Sequence, residues 1–76
     1  MSVSNKIKAL LKLKGKDNAG LAEYLGISSQ ALSNKFYRNS FSANDLINVS
    51  EYMECELAFI VDESQKIILD SWDKKE

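Results

Sequence analysis

Apolar side chains recur at helical spacing through residues 1–55, and short polar or glycine-containing turns divide this pattern into four predicted helices. The first predicted helix spans residues 4–14. Ser2 or Ser4 is suited to cap its start, and Gly15 suits the left-handed position after its last turn. Its apolar stripe consists of Val3, Ile7, Leu10 and Leu11.

The next two predicted helices are short and follow each other closely. One spans residues 18–25, with Asp17 as its N-cap and Gly26 after its end. The other spans residues 29–37 and starts from Ser28, a favourable N-cap residue. The apolar residues that would face the core from these two helices are Leu21, Ala22, Leu25, Ala31, Leu32 and Phe36.

The fourth predicted helix begins at Ser42 and continues to about Cys55. Asp45 stands three residues after Ser42, which gives a capping box with Asp in place of the usual Glu or Gln. Apolar residues continue along this helix at the required spacing, namely Leu46, Val49 and Met53, with Ile47 and Tyr52 beside them.

After Cys55 the pattern changes into two short apolar runs, residues 57–61 and 67–69, around a polar break at residues 62–65. Runs rich in β-branched and aromatic residues around such a break predict a β-hairpin. A helix is the alternative, because the break contains no glycine and runs this short are ambiguous. Residues 73–76 are expected to form a frayed tail.

The side chains available exclude most catalytic and metal-binding chemistry. The chain has no histidine, a single cysteine and no glycine-rich loop, so the commonest general base and metal ligand are missing. We therefore expect no enzymatic activity, no cofactor and no metal site. No apolar segment approaches the roughly 18 residues of a membrane span, and no secretory signal is recognisable. We expect a cytoplasmic protein without membrane association.

Charge is divided between the two halves of the chain, although the net charge is only −1. Residues 1–38 hold seven basic and two acidic residues, whereas residues 39–76 hold three basic and nine acidic residues. A small domain divided in this way is expected to attract an anion on one face. The plainer alternative is that the lysines are simply spaced along a solvated helix.

The turn Gly26-Ile27-Ser28 between the second and third helices carries the main functional signal. Ile27 and Leu32 are placed to pack together as a hydrophobic staple, which fixes the angle at which the chain enters the third helix. A tight turn of this kind makes the third helix project from the body. Its outward residues are small or carry amides that hydrogen-bond base edges in a DNA major groove, and they are Ser29, Gln30, Ser33 and Asn34.

Residues 21–34 read L-A-E-Y-L-G-I-S-S-Q-A-L-S-N. This stretch resembles the helix-turn-helix of phage repressor and Cro-like proteins, the xenobiotic-response-element type. It contains the pattern L-A-x-x-L-G-I-S-x-x-x-[IVL]-S of that family without a gap. The resemblance extends over about residues 4–55. It implies a mainly α, four-helix lambda-repressor-like domain, to which the predicted C-terminal β-hairpin would be added.

The resemblance also implies which residues contact DNA. The base-reading residues would be Ser29, Gln30, Ser33 and Asn34, and the phosphate-binding residues would be Asn18, Lys35, Arg38 and Asn39. Asn18 opens the second helix, and a helix N-terminus binds phosphate through its free amides. Family members often have Thr-Gln where this chain has Asp17-Asn18, and the carboxylate of Asp17 would repel a nearby phosphate.

These features together predict a sequence-specific transcriptional regulator that binds double-stranded DNA as a homodimer. The helix-turn-helix DNA-binding core would be residues 1–55. Residues 56–72 would be a hairpin extension of the same domain that joins two copies, because a lone two-stranded hairpin with open edges is marginally stable. The alternative is a protein-interaction module, such as an antitoxin that binds a partner protein through the acidic C-terminal half.

Overall fold

The computed structural model describes residues 2–75 and places helices in the first part of the chain and a hairpin after them. The elements are α1 Val3–Leu13, α2 Asn18–Leu25, α3 Ser29–Arg38, α4 Ala43–Tyr52, β1 Leu57–Asp62, β2 Gln65–Leu69 and a short 3-10 helix Ser71–Asp73. Four helices followed by an antiparallel hairpin confirm the predicted fold. The helical alternative for the two apolar runs is wrong.

Each α-helix begins at a polar side chain that accepts a hydrogen bond from a free backbone N–H of the first turn. The four N-caps are Ser2, Asp17, Ser28 and Ser42. Asp45 completes the predicted capping box of α4, because its side chain accepts from the backbone N–H of Ser42. Ser2 therefore caps α1, and Ser4, the other candidate, is buried.

A left-handed residue follows each of the four helices, namely Gly15, as predicted, Gly26, Asn39 and Glu54. Gly26 closes α2 with a φ of 72°, a conformation that costs glycine little because it has no Cβ. Helix α4 ends at Tyr52, earlier than the predicted end near Cys55. The reason is that Glu54 adopts a φ of 55°, which turns the chain out of the helix before Cys55.

The core lies where α1, α2, α3 and α4 meet. Its buried members are Ile7, Leu11, Leu21, Ala22, Leu32, Phe36, Val49 and Met53. Leu21, Leu32 and Met53 are at most 1% exposed. Full burial of such a side chain stabilises a fold by roughly 1.5–3 kcal/mol, so these three residues are principal anchors of α2, α3 and α4.

The hairpin turn forms without glycine because the side chain of Asp62 stabilises it. The side chain of Asp62 accepts hydrogen bonds from the backbone N–H of Ser64 at 2.8 Å and from its hydroxyl at 3.0 Å. Such side-chain contacts imitate a backbone turn. The register shifts between Ile60 and Asp62, which leaves Val61 as the extra residue of a β-bulge.

Residues 73–75 differ from the expected frayed tail, because they are held against α4. The Nζ of Lys74 lies 3.0 Å from Oδ1 of Asn48 and 3.1 Å from Oε1 of Glu51. The backbone of Lys75 exchanges hydrogen bonds with the side-chain amide of Asn44. The three side chains on α4 lie about one turn apart, so together they form a polar strip that holds the C-terminal segment. Residue 76 lies outside the described residues.

Candidate nucleic-acid interface

Three residues close α2 and open α3. The backbone N–H of Ile27 donates to the carbonyl oxygen of Ala22 at 3.0 Å, and the backbone N–H of Gly26 donates to the same carbonyl, which closes the end of α2. The hydroxyl oxygen of Ser28 then accepts from the backbone N–H of Ala31 at 3.0 Å. The turn is therefore fixed by hydrogen bonds on both sides of Gly26, and α3 is held in one orientation relative to α2.

The outward face of α3 presents hydrogen-bonding groups to solvent. All four predicted base-reading residues are exposed, namely Ser29, Gln30, Ser33 and Asn34. The Nε2 of Gln30 donates to Oδ1 of Asn34 at 3.3 Å. This contact aligns the two amides one helical turn apart. Each amide still offers a donor and an acceptor to an external partner, because Nε2 of Gln30 has a second N–H and Oδ1 of Asn34 has a second lone pair.

Tyr37 belongs to the same face and was not among the predicted site residues. It follows Ser33 by four positions and Asn34 by three, which places all three residues on one side of α3. Its side chain is 91% exposed, although a tyrosine has a large apolar ring. The 3.6-residue period continued past Asn34 would have revealed this position.

A notch beside α3 brings together residues from three helices. It has a volume of about 240 Å³ and is lined by Lys8, Asn18, Ser33, Phe36 and Tyr37. The Nζ of Lys8 lies 5.1 Å from the centre of the Phe36 ring, a cation–π contact that keeps this lysine close to α3. Lys8 is a second residue that sequence reasoning did not assign to the site.

Asn18 opens α2 at the edge of this notch and is exposed. Its neighbour Asp17 uses one carboxylate oxygen to accept from the backbone N–H of Gly20 at 2.8 Å. The structure therefore places a phosphate-binding candidate and an acidic cap side by side. The amide side chain and the helix N-terminus favour an anion there, whereas the Asp17 charge opposes it.

Lys35 is held by α4. Its Nζ lies 2.9 Å from Oδ2 of Asp45, and the same oxygen accepts from the backbone N–H of Ser42 at 3.0 Å. Burial by itself raises the pKa of Asp45. The hydrogen bonds from Lys35 and Ser42 outweigh that effect and keep the pKa of this carboxyl below its ordinary value of 3.8.

Arg38 and Asn39 end α3 and differ in their surroundings. Arg38 is exposed and forms no ion pair with another described residue. Asn39 adopts a left-handed φ of 54°, and its Oδ1 accepts from the backbone N–H of Ser4 at 2.9 Å. The side-chain oxygen of Asn39 thus joins α3 to α1, and only the side-chain nitrogen, Nδ2, remains to contact a phosphate.

Comparison with known families identifies the helix-turn-helix formed by α2 and α3. The model of the bacteriophage CI repressor helix-turn-helix domain matches residues 5–65. The chain belongs to this family. It is therefore a DNA-binding transcriptional regulator of the repressor class. Searches of curated proteins and of solved structures return no match.

The family match extends beyond the helices of the repressor domain. It includes all of β1 and the first residue of β2, so part of the hairpin lies within the matched region. No helix within residues 2–75 of this repressor domain is long and apolar enough to span a membrane.

Proposed function

We propose that this repressor domain binds operator DNA in the cytoplasm as a homodimer, with α3 in the major groove. The observation that carries the proposal is the exposed polar face of α3. Gln30 and Asn34 each offer a donor and an acceptor, the combination that matches the N6 and N7 edge of adenine. Ser29 and Ser33 take either role and are small enough to allow close approach of the helix.

Phosphate contacts would fix the position of α3 on the duplex, since they supply register and much of the affinity. We assign this role to Asn18 at the start of α2 and to Lys35, Arg38 and Asn39 at the end of α3. Arg38 is the more available of the two cations, because Lys35 is paired with Asp45 and Arg38 has no ion pair with a described residue. Lys8 extends the basic surface across the notch.

Dimer formation would use one face of the hairpin, which we call the odd face: Leu57, Phe59, Ile67 and Leu69. These residues are paired across the strands and contain no charge. Phe59 remains 66% exposed and Ile67 remains 61% exposed in a single chain. The opposite face is less suited, because an ion pair between Lys66 and Glu56 lies on it. Exposed apolar patches of this kind mark interaction sites.

A two-fold dimer would place two copies of α3 in successive major grooves about 34 Å apart, on a pseudo-palindromic operator. Selection of bound sequences from random DNA should therefore yield two inverted half-sites. A single unpaired half-site would contradict the dimer on DNA.

Base reading is tested by the Gln30→Ala/Asn34→Ala double variant. It should keep its helical content and its binding to random DNA, yet lose preference for the selected operator. The matched control is Gln65→Ala, an exposed glutamine in β2, which should retain that preference. Absence of gel retardation of any DNA by the wild type at low salt would overturn the proposed function.

Dimer formation is tested by Phe59→Lys, which places a charge on the odd face. This variant should sediment as a monomer where the wild type sediments as a dimer. Ile60→Lys is the matched control, because Ile60 is 79% exposed on the other face and should tolerate the change. A monomeric wild type at high micromolar concentration would overturn the homodimer.

A further inference from the structure

The ion pair between Lys35 and Asp45 is the least exposed of the three found in the described chain. The side chains of Lys35 and Asp45 are 29% and 19% exposed, compared with 33% and 34% in the Lys74–Glu51 pair. A partly buried pair is screened less by salt than a surface pair. The attraction between Lys35 and Asp45 is therefore screened by salt less than that of the other two pairs.

The capping box holds the Asp45 carboxylate in place independently of Lys35. The backbone N–H of Asp45 donates to Oγ of Ser42 at 3.0 Å, and the backbone N–H of Ser42 donates back to Oδ2 of Asp45 at 3.0 Å. A fixed carboxylate loses little conformational entropy when it accepts a lysine. In the free protein, Asp45 is thus a preorganised anionic partner for Lys35.

Lys35 and Arg38 are the basic residues in the last turn of α3. Arg38 is free to meet a phosphate, whereas Lys35 already has an anion 2.9 Å away. We propose that Asp45 competes with the DNA backbone for Lys35 and thereby lowers the affinity of the domain for DNA. This inference rests on the proposed function, and it assigns Asp45 the role of an affinity-limiting residue.

The competition should act equally on all DNA sequences. A lysine–phosphate contact carries no sequence information, so its release would strengthen operator binding and random-DNA binding by the same factor. In the wild type Lys35 is shared between Asp45 and the phosphate, so its full release displaces up to one further counterion and steepens the dependence of log affinity on log salt by up to about 0.9. A fourfold increase in salt would then weaken the released form up to about 3.5-fold more than the wild type.

Asp45→Gln and Asp45→Glu form a matched pair for the test, because both residues support a capping box and only Glu retains the charge. We expect Asp45→Gln to bind random duplex DNA more tightly at low salt, with the steeper salt dependence and an unchanged ratio of operator to random binding. Asp45→Glu should resemble the wild type. Asp45→Asn provides a second neutral variant in case the longer side chain perturbs α4.

The Lys35→Met/Asp45→Gln double variant shows whether the gain belongs to Lys35. Its salt dependence should return to that of the wild type. A tighter double variant would overturn the inference, because the gain would then come from the Asp45 charge alone. So would folded neutral variants that bind no more tightly than the wild type. A wild type that binds no DNA would overturn the proposed function as well, which separates the two failures.

Discussion

The hydroxyl oxygen of Ser4 lies 2.7 Å from the carbonyl oxygen of Phe36, so α1 is hydrogen-bonded to the last turn of α3. Ser4 is only 4% exposed, and water has little access to this contact. The carbonyl groups at the end of a helix have no partner within the helix. The Phe36 carbonyl accepts from the backbone N–H of Asn39 at 3.3 Å, and Ser4 adds a shorter bond from a distant part of the chain, which ties α3 at the end opposite its N-cap.

Ser4→Ala should lower the free energy of unfolding by about 0.5–1.5 kcal/mol, because the substitution removes a buried hydrogen bond and leaves the Phe36 carbonyl with the longer bond from the Asn39 backbone N–H alone. Urea denaturation at neutral pH measures the change. Ser29→Ala is the control, since Ser29 is exposed and should shift stability by no more than about 0.5 kcal/mol. Equal stabilities of the two variants would contradict the structural importance of the contact.

Gly20→Ala should destabilise the domain although alanine is the better helix former. A Cβ at Gly20 would collide with the hydroxyl of Tyr52. Tyr52 cannot move freely because its ring packs against two other side chains. The centres of the Tyr52 and Tyr24 rings are 5.2 Å apart, and the Nζ of Lys16 lies 4.5 Å from the centre of the Tyr52 ring. Overpacking of this kind typically costs about 1–3 kcal/mol, which outweighs the gain of roughly 1 kcal/mol in helix propensity.

The Tyr52→Phe background isolates this collision, because phenylalanine lacks the hydroxyl that the new Cβ would meet. Gly20→Ala should cost less in that background than in the wild type, as measured by thermal or urea unfolding of all four proteins. An unchanged cost would show that the hydroxyl is not the obstacle.

Acid should weaken the fold partly through Asp45. A carboxyl whose pKa is lower in the folded than in the unfolded state stabilises the fold while it is ionised. That stabilisation is fully present above the unfolded pKa of about 3.9 and is lost as pH falls through the folded pKa, which lies below 3.8. Asp45→Asn should therefore lose less stability than the wild type between about pH 5 and pH 2.5. Parallel pH profiles would contradict this prediction.

Asp17→Asn should strengthen DNA binding without altering the fold. Asparagine caps a helix about as well as aspartate, so the free energy of unfolding should change by less than about 0.5 kcal/mol. Removal of the charge beside Asn18 should tighten binding to random DNA roughly twofold to fivefold at low salt. Retardation titrations measure the effect. Glu23→Gln removes the other acidic residue of the basic half and serves as the control, and an equal gain there would indicate a general effect of net charge.

Sequence reasoning succeeded where the cause of a structural feature is local. The caps at Asp17, Ser28 and Ser42 follow from a polar residue before an apolar period, and each lies where it was predicted. Gly26 ends α2 for an equally local reason. The apolar runs predict the hairpin, but a turn without glycine is also compatible with a helix. Sequence alone does not decide between them, because Asp62 stabilises the turn only once the turn has formed.

Contacts between distant residues were beyond the reach of periodicity. Lys35 is separated from Asp45 by ten positions and belongs to a different helix. Its basic character was evident from the sequence, whereas its ion pair was not. The tail against α4 has the same origin, since Asn44 and Lys75 are 31 positions apart. Such side-chain contacts depend on how the helices pack, which no local pattern specifies.

The hydrogen bond between Asn39 and Ser4 has a consequence for how the sequence can change in evolution. Asparagine at position 39 meets two demands at once, because it tolerates the left-handed backbone and its side chain accepts from the first turn of α1. Glycine would satisfy the first demand alone. Descendants that replace Asn39 by glycine should therefore carry a compensating change at Ser4, and the two positions are expected to vary together across related sequences.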